Sequence, residues 1–278
     1  MRYDIDLFSK LNEEYSNKPL VPAPPKYNEV ALSERAKRRA IYINRQVPAG
    51  GKRVLEIGCG RGEVCRSLNS EYGIEVIGVD VVKYPQWDVQ QKGVTLIKTD
   101  LTDENPVDLG SFDLIYSNSV WEHLWHPYKM LERAFAVLKP GGHLVLSANL
   151  YRGPKASHRY AMIFFPWPHL LFTDEVFDEY YQKHIKKSLS GETLNGEITN
   201  VDFKRQGKLW GPSWINQLSI SDYLNYFNIL KFEVLSVKYS ITQLDEAFLK
   251  RFADKLERFP RYDLERDFIH VTLKKPEL

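Results

Sequence analysis

Three groups of side chains in this sequence have the types and spacing to do chemistry. The first is Glu56-Ile57-Gly58-Cys59-Gly60-Arg61-Gly62-Glu63, where glycines recur at alternate positions between an apolar run and a helical pattern. Such a loop turns tightly and lets a ligand approach the backbone with no Cβ atoms in the way. The second is a pair of acids, Asp80 and Asp100, each closing a short apolar stretch. Asp80 stands 22 residues beyond Gly58, near where a ribose-binding acid belongs in a strand–loop–helix–strand unit. Its carboxylate can accept from both ribose hydroxyls at once. The third is the segment Asn118-Ser119-Val120-Trp121-Glu122-His123-Leu124-Trp125-His126. There His123 is the first candidate for a general base or an acceptor orienter, with Glu122 as its partner and His126 in reserve.

Residue identities select the ligand of the glycine loop. A dinucleotide fingerprint needs its third glycine at position 63, where close helix–strand packing and a pyrophosphate are accommodated. Position 63 is Glu63, whose carboxylate suits a helix N-terminus but repels a pyrophosphate. Glu56 adds a second acid beside the loop. An acidic, phosphate-free pocket suits a ligand carrying positive charge, and S-adenosylmethionine, with its sulfonium and ammonium, is such a ligand.

The run Val-Leu-Glu-Ile-Gly-Cys-Gly-Arg-Gly, residues 54–62, resembles the first motif of class I S-adenosylmethionine-dependent methyltransferases, of the type 11-like kind. Leu138-Lys139-Pro140-Gly141-Gly142 matches another recurrent feature of that family. The resemblance is strong over residues 53–150 and covers the C-terminal part in outline. It implies that Glu56, Gly58, Cys59, Gly60 and Gly62 line the cofactor and that Asp80, with Val81 beside it, takes the ribose. It further implies that Asp100 accepts from the adenine amino group, with Asp103 as the near alternative and Leu101 as a backbone contact. Asn118, at the end of the fourth strand, would face the reactive sulfur. Some relatives that methylate catechol-like rings place an extra acid three residues before the Glu-His pair to bind a metal. That position is Ser119 here, and no Cys or His cluster has metal-ligand spacing, so no catalytic metal is expected.

The elements that must position these residues follow a doubly wound α/β pattern: a seven-stranded, mostly parallel sheet of the class I methyltransferase fold. The expected strands begin with Arg53–Ile57, Glu75–Asp80, Val94–Leu101, Phe112–Asn118 and His143–Ala148. A sixth over Phe232–Tyr239 and a seventh over Phe268–Leu273 pair antiparallel, separated by a helix over Asp245–Phe259. Residues 1–50 read as an N-terminal helical arm, with helices over Asp4–Asn17 and from Asn28 or Ser33 to Gln46, joined by an extended proline linker. Arg35, Lys37, Arg38 and Arg39 in that second helix read as a solvated face, helped by Glu34 four residues before Arg38. Residues 51–278 read as the methyltransferase domain.

Residues 151–216 are too long for a simple connection and read as a lid inserted after the fifth strand. Their phenylalanines would form a local core, with Tyr151, His158, Tyr160, Trp167, His169 and Trp210 as candidates to line an acceptor site; the alternative is a structural subdomain that uses these aromatics as its own core. Aromatic platforms beside histidines suit a sugar ring or another flat polar ligand. The expected activity is therefore methylation of a small polar acceptor, at oxygen of a glycan-like molecule or another metabolite. A non-catalytic S-adenosylmethionine-binding protein is the alternative of a different class, and protein or nucleic-acid methylation ranks below both.

Composition excludes several other classes. The chain has 278 residues, a formal net charge of +2 and 27% charged residues, which gives no electrostatic case for a nucleic-acid partner. No run of 18 apolar residues predicts a membrane span. The start, Met1-Arg2-Tyr3-Asp4, lacks the apolar core of a signal peptide. With only Cys59 and Cys65, both outside metal-site spacing, a reduced cytoplasmic setting is expected.

Overall fold

The structure is a computed structural model that describes residues 2–20, 29–155, 163–180, 183, 203–205, 208–210 and 215–277, with backbone only at 178, 203–205 and 208–210. Its main sheet has seven strands in the order β3-β2-β1-β4-β5-β9-β8. These are β1 (Val54–Ile57), β2 (Val76–Asp80), β3 (Val94–Lys98), β4 (Phe112–Asn118), β5 (Leu138–Asn149), β8 (Glu233–Ile241) and β9 (Arg266–Lys274). Strands β6 (Phe203–Arg205) and β7 (Lys208–Trp210) form a separate antiparallel hairpin. β1 to β5 pair in parallel. The amide of Gly141 donates to the Lys275 carbonyl and that of Leu150 to the Asp267 carbonyl, so β9 runs antiparallel to β5. β1 and β4 are neighbours at the point where strand order reverses. In open α/β sheets the crevice at the carboxyl ends of such strands is where ligands bind.

The described residues fall into two compact units. One comprises 26–148, 220–239 and 269–278 and carries nearly all of the sheet. Every residue of β1 is buried. Helix α2 (Glu29–Gln46) buries Ala36, Ala40 and Ile43, spaced for one helical face. They pack with Val64, Cys65 and Leu68 of α3 (Glu63–Tyr72) and with Val54, Leu114 and Val145 of the sheet. Lys37 and Arg38 point outward, Lys37 pairing with Glu71 and Arg38 with Glu34, as a solvated face should. Arg35 and Arg39 are half-buried.

The other unit comprises 1–25, 149–219 and 240–268. Its core joins Phe8 and Leu11 of α1 (Ile5–Glu14) to Phe165, Trp167, Phe172 and Phe177, and to Phe248, Phe252 and Leu256. The division thus runs through the N-terminal arm: α1 packs in one unit and α2 in the other. Each helix goes where its own apolar stripe is covered.

Three elements differ from the sequence reading. β3 ends at Lys98 because the Asp100 carboxylate turns the chain, accepting from the amide and hydroxyl of Thr102 at 2.8 and 2.7 Å. β5 starts at Leu138, so Lys139-Pro140-Gly141-Gly142 belongs to the strand. Gly141, at φ 75°, makes the irregularity that shifts register against β4 while its amide pairs with the C-terminal strand. The helix expected over 245–259 divides at Phe252 (φ −117°, ψ 28°) into Glu246–Arg251 and Ala253–Leu256. The stripe Phe248, Phe252 and Leu256 stays buried across the break.

Candidate cofactor and acceptor site

The three glycines of the loop after β1 all have positive φ: 75° at Gly58, 53° at Gly60 and 83° at Gly62. Their surroundings differ. A Cβ at Gly58 would stand 2.1 Å from Val120 Cγ2, and one at Gly62 would stand 2.6 Å from Leu96 Cδ1. At Gly60 nothing lies within 4 Å, so this is the glycine that faces open space. Gly58 and Gly62 are therefore required by protein packing, whereas the backbone at Gly60 is left open.

Asp80, at the end of β2, stands against that opening. Its Oδ2 accepts from the Gly60 amide at 2.9 Å and its Oδ1 from the Val82 amide at 3.1 Å. Each carboxylate oxygen accommodates a further donor, which leaves capacity for two hydroxyls. Burial raises the Asp80 pKa, opposed by bonds from the Gly60, Val82 and Val81 amides. Trp87, in the 3-10 turn Pro85–Asp88, donates from Nε1 to the Gly60 carbonyl at 2.7 Å. Asp100, past β3, spends its Oδ1 on Thr102, while Leu101 beside it is buried. Val81 is exposed and Cys59 is buried.

Glu56 occupies β1 itself and is 5% exposed. Its Oε2 accepts from the Cys65 thiol at 3.0 Å. Burial pushes its carboxyl up to about 8, against the Cys65 bond and the positive charge of Arg39 on α2. At neutral pH it is therefore mostly protonated, and a cation placed beside it would draw the proton off. Burial thus weakens the standing negative charge expected of Glu56.

β4 delivers the next group. The Ser117 hydroxyl donates to the Ile57 carbonyl at 2.9 Å, tying the ends of β1 and β4 together. Asn118 is half-buried, its Nδ2 donating to the Ser119 hydroxyl at 2.9 Å. The chain then enters the 3-10 turn Trp121–His123, with Trp121 and Glu122 fully buried, His123 half-buried and His126 exposed. The Tyr223 phenol, on helix Ile220–Ile229, is raised well above its ordinary pKa, first by burial and then by the charge of Glu122.

A second polar cluster stands one strand further along the same edge. Ser147 of β5 is paired in register with Asn118, and its carbonyl accepts from the Ser119 amide at 2.8 Å. Its buried hydroxyl lies 2.9 Å from His270 Nδ1 of β9 and also bonds the Tyr42 phenol of α2. Burial, and then the charge of Lys238, lower the His270 pKa and favour its neutral form. No motif marks Tyr42, Ser147 or His270 in the sequence. Alternation along β5, with Val145 and Ser147 on one face, was the only available signal.

The aromatics expected to line an acceptor site are placed within the other unit. Trp167 is 1% exposed, packs with Phe248 and donates to the Leu264 carbonyl at 3.2 Å. His169 Nε2 bonds the Tyr151 carbonyl, and the two rings meet edge to face with centroids 5.0 Å apart. These contacts belong to a local core. Trp210 is described by backbone alone, and His158 and Tyr160 lie outside the described residues. Among the described residues, no three His, Cys, Asp or Glu are grouped to hold a metal ion, and no helix is long and apolar enough to cross a membrane.

Comparison with known proteins follows the same lines. Residues 31–204 match the family model described as a methyltransferase domain. The chain is 32% identical over 124 residues to the ubiquinone biosynthesis O-methyltransferase of Nitrosococcus oceani, across 42% of this chain and 52% of that relative. With the ubiquinone biosynthesis O-methyltransferase of Cereibacter sphaeroides it shares 29% identity over 202 residues, 66% of this chain and 75% of the relative. The chain thus spans about half the length of the first relative and three quarters of the second. Among solved structures, the cyclase SpnF superposes with a TM-score of 0.53 over 98% of this chain and 94% of its own. At 15% identity that likeness is one of fold alone.

Proposed function

This chain belongs to the methyltransferase-domain family, and we propose on that premise that it transfers the methyl group of S-adenosylmethionine to an oxygen of a small-molecule acceptor. The observation that carries the reading is the open face of Gly60 with Asp80 at hydrogen-bond distance, together with a second acid, Glu56, buried on β1 just before the loop. A phosphate-bearing ligand finds no positive counter-charge in those two acids. A nucleoside with a cationic amino-acid tail finds a ribose acceptor and an acid that ionises on demand.

When bound, S-adenosylmethionine supplies an electrophilic methyl group on a sulfonium that leaves as a neutral thioether. The chain's own residues do the rest. Asp80 holds the ribose hydroxyls and Asp100 the adenine amino group. Glu56 faces the ammonium, and Arg39, whose charge already acts on Glu56, suits the carboxylate. Asn118, the last residue of β4, would stand beside the methyl group of a bound cofactor. Much of the acceleration then comes from alignment and exclusion of water. The acceptor's proton goes to His123, half-buried on the turn after β4. His270 is the competing proton acceptor, because it is kept neutral and bonded to Ser147 one strand away. Oxygen as the acceptor atom is supported by the names of the relatives. A glycan-like acceptor loses the support of Trp167, which is buried in the core of the other unit.

Calorimetry tests the cofactor half of this proposal. S-adenosylmethionine should bind and NAD should not; a micromolar affinity for NAD would overturn it. His123→Ala and His270→Gln, compared in steady-state kinetics once an acceptor is found, assign the base. The true base loses about 10²–10⁴-fold in turnover with cofactor affinity unchanged, and full turnover in both variants leaves alignment alone.

A further inference from the structure

The cofactor loop is held in place by Asp80 and also by two groups to which no cofactor contact is assigned, Trp87 and Arg66. The Gly60 peptide is gripped on both sides: its N–H by Asp80 at 2.9 Å and its carbonyl by Trp87 Nε1 at 2.7 Å. Arg66, in the first turns of α3, closes the circuit. Its Nη1 donates to the Arg61 carbonyl at 2.8 Å, and its Nη2 donates to the carbonyls of Gln86 at 2.7 Å and Val89 at 3.2 Å. The amides of Gly58 and Cys59 both donate to the Val79 carbonyl, and that of Gly62 to the Cys59 carbonyl. Residues 58–62 are thus bonded to β2, to α3 and to the 85–89 turn at once.

The geometry points to Trp87 and Arg66 as positioning residues, a latch that preforms the nucleoside pocket by fixing the Gly60 peptide and the 85–89 turn against each other. Glycine at φ 53° with open space beside it has the most backbone freedom to lose. A loop left free would lose that freedom on binding, at a cost in affinity; a latched loop has lost it already on folding. Trp87 is 6% exposed, so its indole N–H needs a buried acceptor, and the Gly60 carbonyl is the one it uses. The 85–89 turn therefore does not close over an incoming ligand; it is already in place. The inference rests on the cofactor reading for its functional meaning, but the latch itself is measurable without any ligand.

The test uses the full chain with two variants, Trp87→Phe, which keeps an aromatic ring without the donor, and Arg66→Met, which keeps the stem without the guanidinium. The first readout is amide hydrogen exchange at Gly60 in the ligand-free protein, with the Gly73 and Val76 amides of the same unit as controls. The second is affinity for S-adenosylhomocysteine by calorimetry. Each variant should exchange faster at Gly60 with the controls unmoved, and should bind S-adenosylhomocysteine at least about 3- to 10-fold more weakly, the net scale of the one hydrogen bond lost in Trp87→Phe, with Arg66→Met, which loses three, no less affected. Unchanged exchange at Gly60 in both variants would overturn the latch. Faster exchange with affinity unchanged would overturn its role in positioning, and weaker binding without faster exchange would mean direct contact instead. If the unmodified chain does not bind S-adenosylhomocysteine, the cofactor reading falls, while exchange at Gly60 still decides whether the latch exists.

Discussion

Glu56 should release a proton when S-adenosylmethionine binds. Its carboxyl stands at about 8, raised by burial against the Cys65 hydrogen bond and the charge of Arg39. With that value roughly nine molecules in ten carry the proton at pH 7. An ammonium group brought within a few ångströms favours the carboxylate and lowers such a pKa by about 1–3 units. Binding at pH 7 should then release about 0.4–0.9 of a proton, falling toward zero near pH 9 where the free protein is already ionised. The assay is calorimetry in phosphate, imidazole and Tris at one pH, because the observed heat shifts by the buffer's ionisation enthalpy times the protons released. Glu56→Gln should abolish the buffer dependence and weaken binding. The folded chain binds this proton more tightly than the unfolded one, so stability is fullest at low pH. That part is lost as pH rises from about 4.5 through 8, and Glu56→Gln should flatten the slope. A binding heat independent of buffer at pH 7, or a dependence that survives in Glu56→Gln, would refute the reasoning.

Four further outcomes are expected. Asp80→Ala removes the ribose acceptor and one anchor of Gly60, and should weaken S-adenosylmethionine binding by about 1.5–3 kcal/mol; unchanged affinity by calorimetry in a folded protein would exclude Asp80 from the site. Gly58→Ala forces a Cβ to 2.1 Å from Val120 at φ 75° and should destabilise the fold by about 2–4 kcal/mol, read as a lower urea midpoint. Trp167→Ala should cost about 3–5 kcal/mol of stability and lower the melting temperature; an unchanged melt with a raised acceptor KM would restore it as a binding residue. Activity should survive chelation, given Ser119 where some relatives carry an acid; loss with a chelator and recovery with magnesium would defeat that expectation.

What was legible in the sequence divides by the range of the interactions involved. β1, the glycine loop and α3 are local: an apolar run, glycines where φ must be positive, and a helix bounded by Gly62 and Gly73. Asp80 and Asp100 stand out as candidates because each follows a short apolar stretch that the sequence marks as a strand. Trp87, Arg66 and the Tyr42–Ser147–His270 cluster were missed because each is made by elements distant in sequence, and indoles, hydroxyls and imidazoles carry no periodicity of their own. For the aromatics of 151–216 the sequence leaves open whether they line a pocket or fill a core, for a related reason. A tryptophan that lines a pocket and one that fills a core look identical until its neighbours are known, and Phe8 and Phe248 come from opposite ends of the chain. The state of Glu56 was hidden too, since a carboxylate reads as a charge until its burial is counted.

The most direct test of the central claim follows the methyl group itself. Purified protein is incubated with methyl-labelled S-adenosylmethionine and fractionated small-molecule extracts, and both S-adenosylhomocysteine and label in the acceptor fraction are quantified. The expected result is label in a small molecule, released as methanol or methyl iodide only by ether-cleaving chemistry, with one S-adenosylhomocysteine formed per methyl transferred. A chain that binds S-adenosylmethionine tightly yet forms no S-adenosylhomocysteine with any fraction would contradict the claim and leave a binding protein in its place.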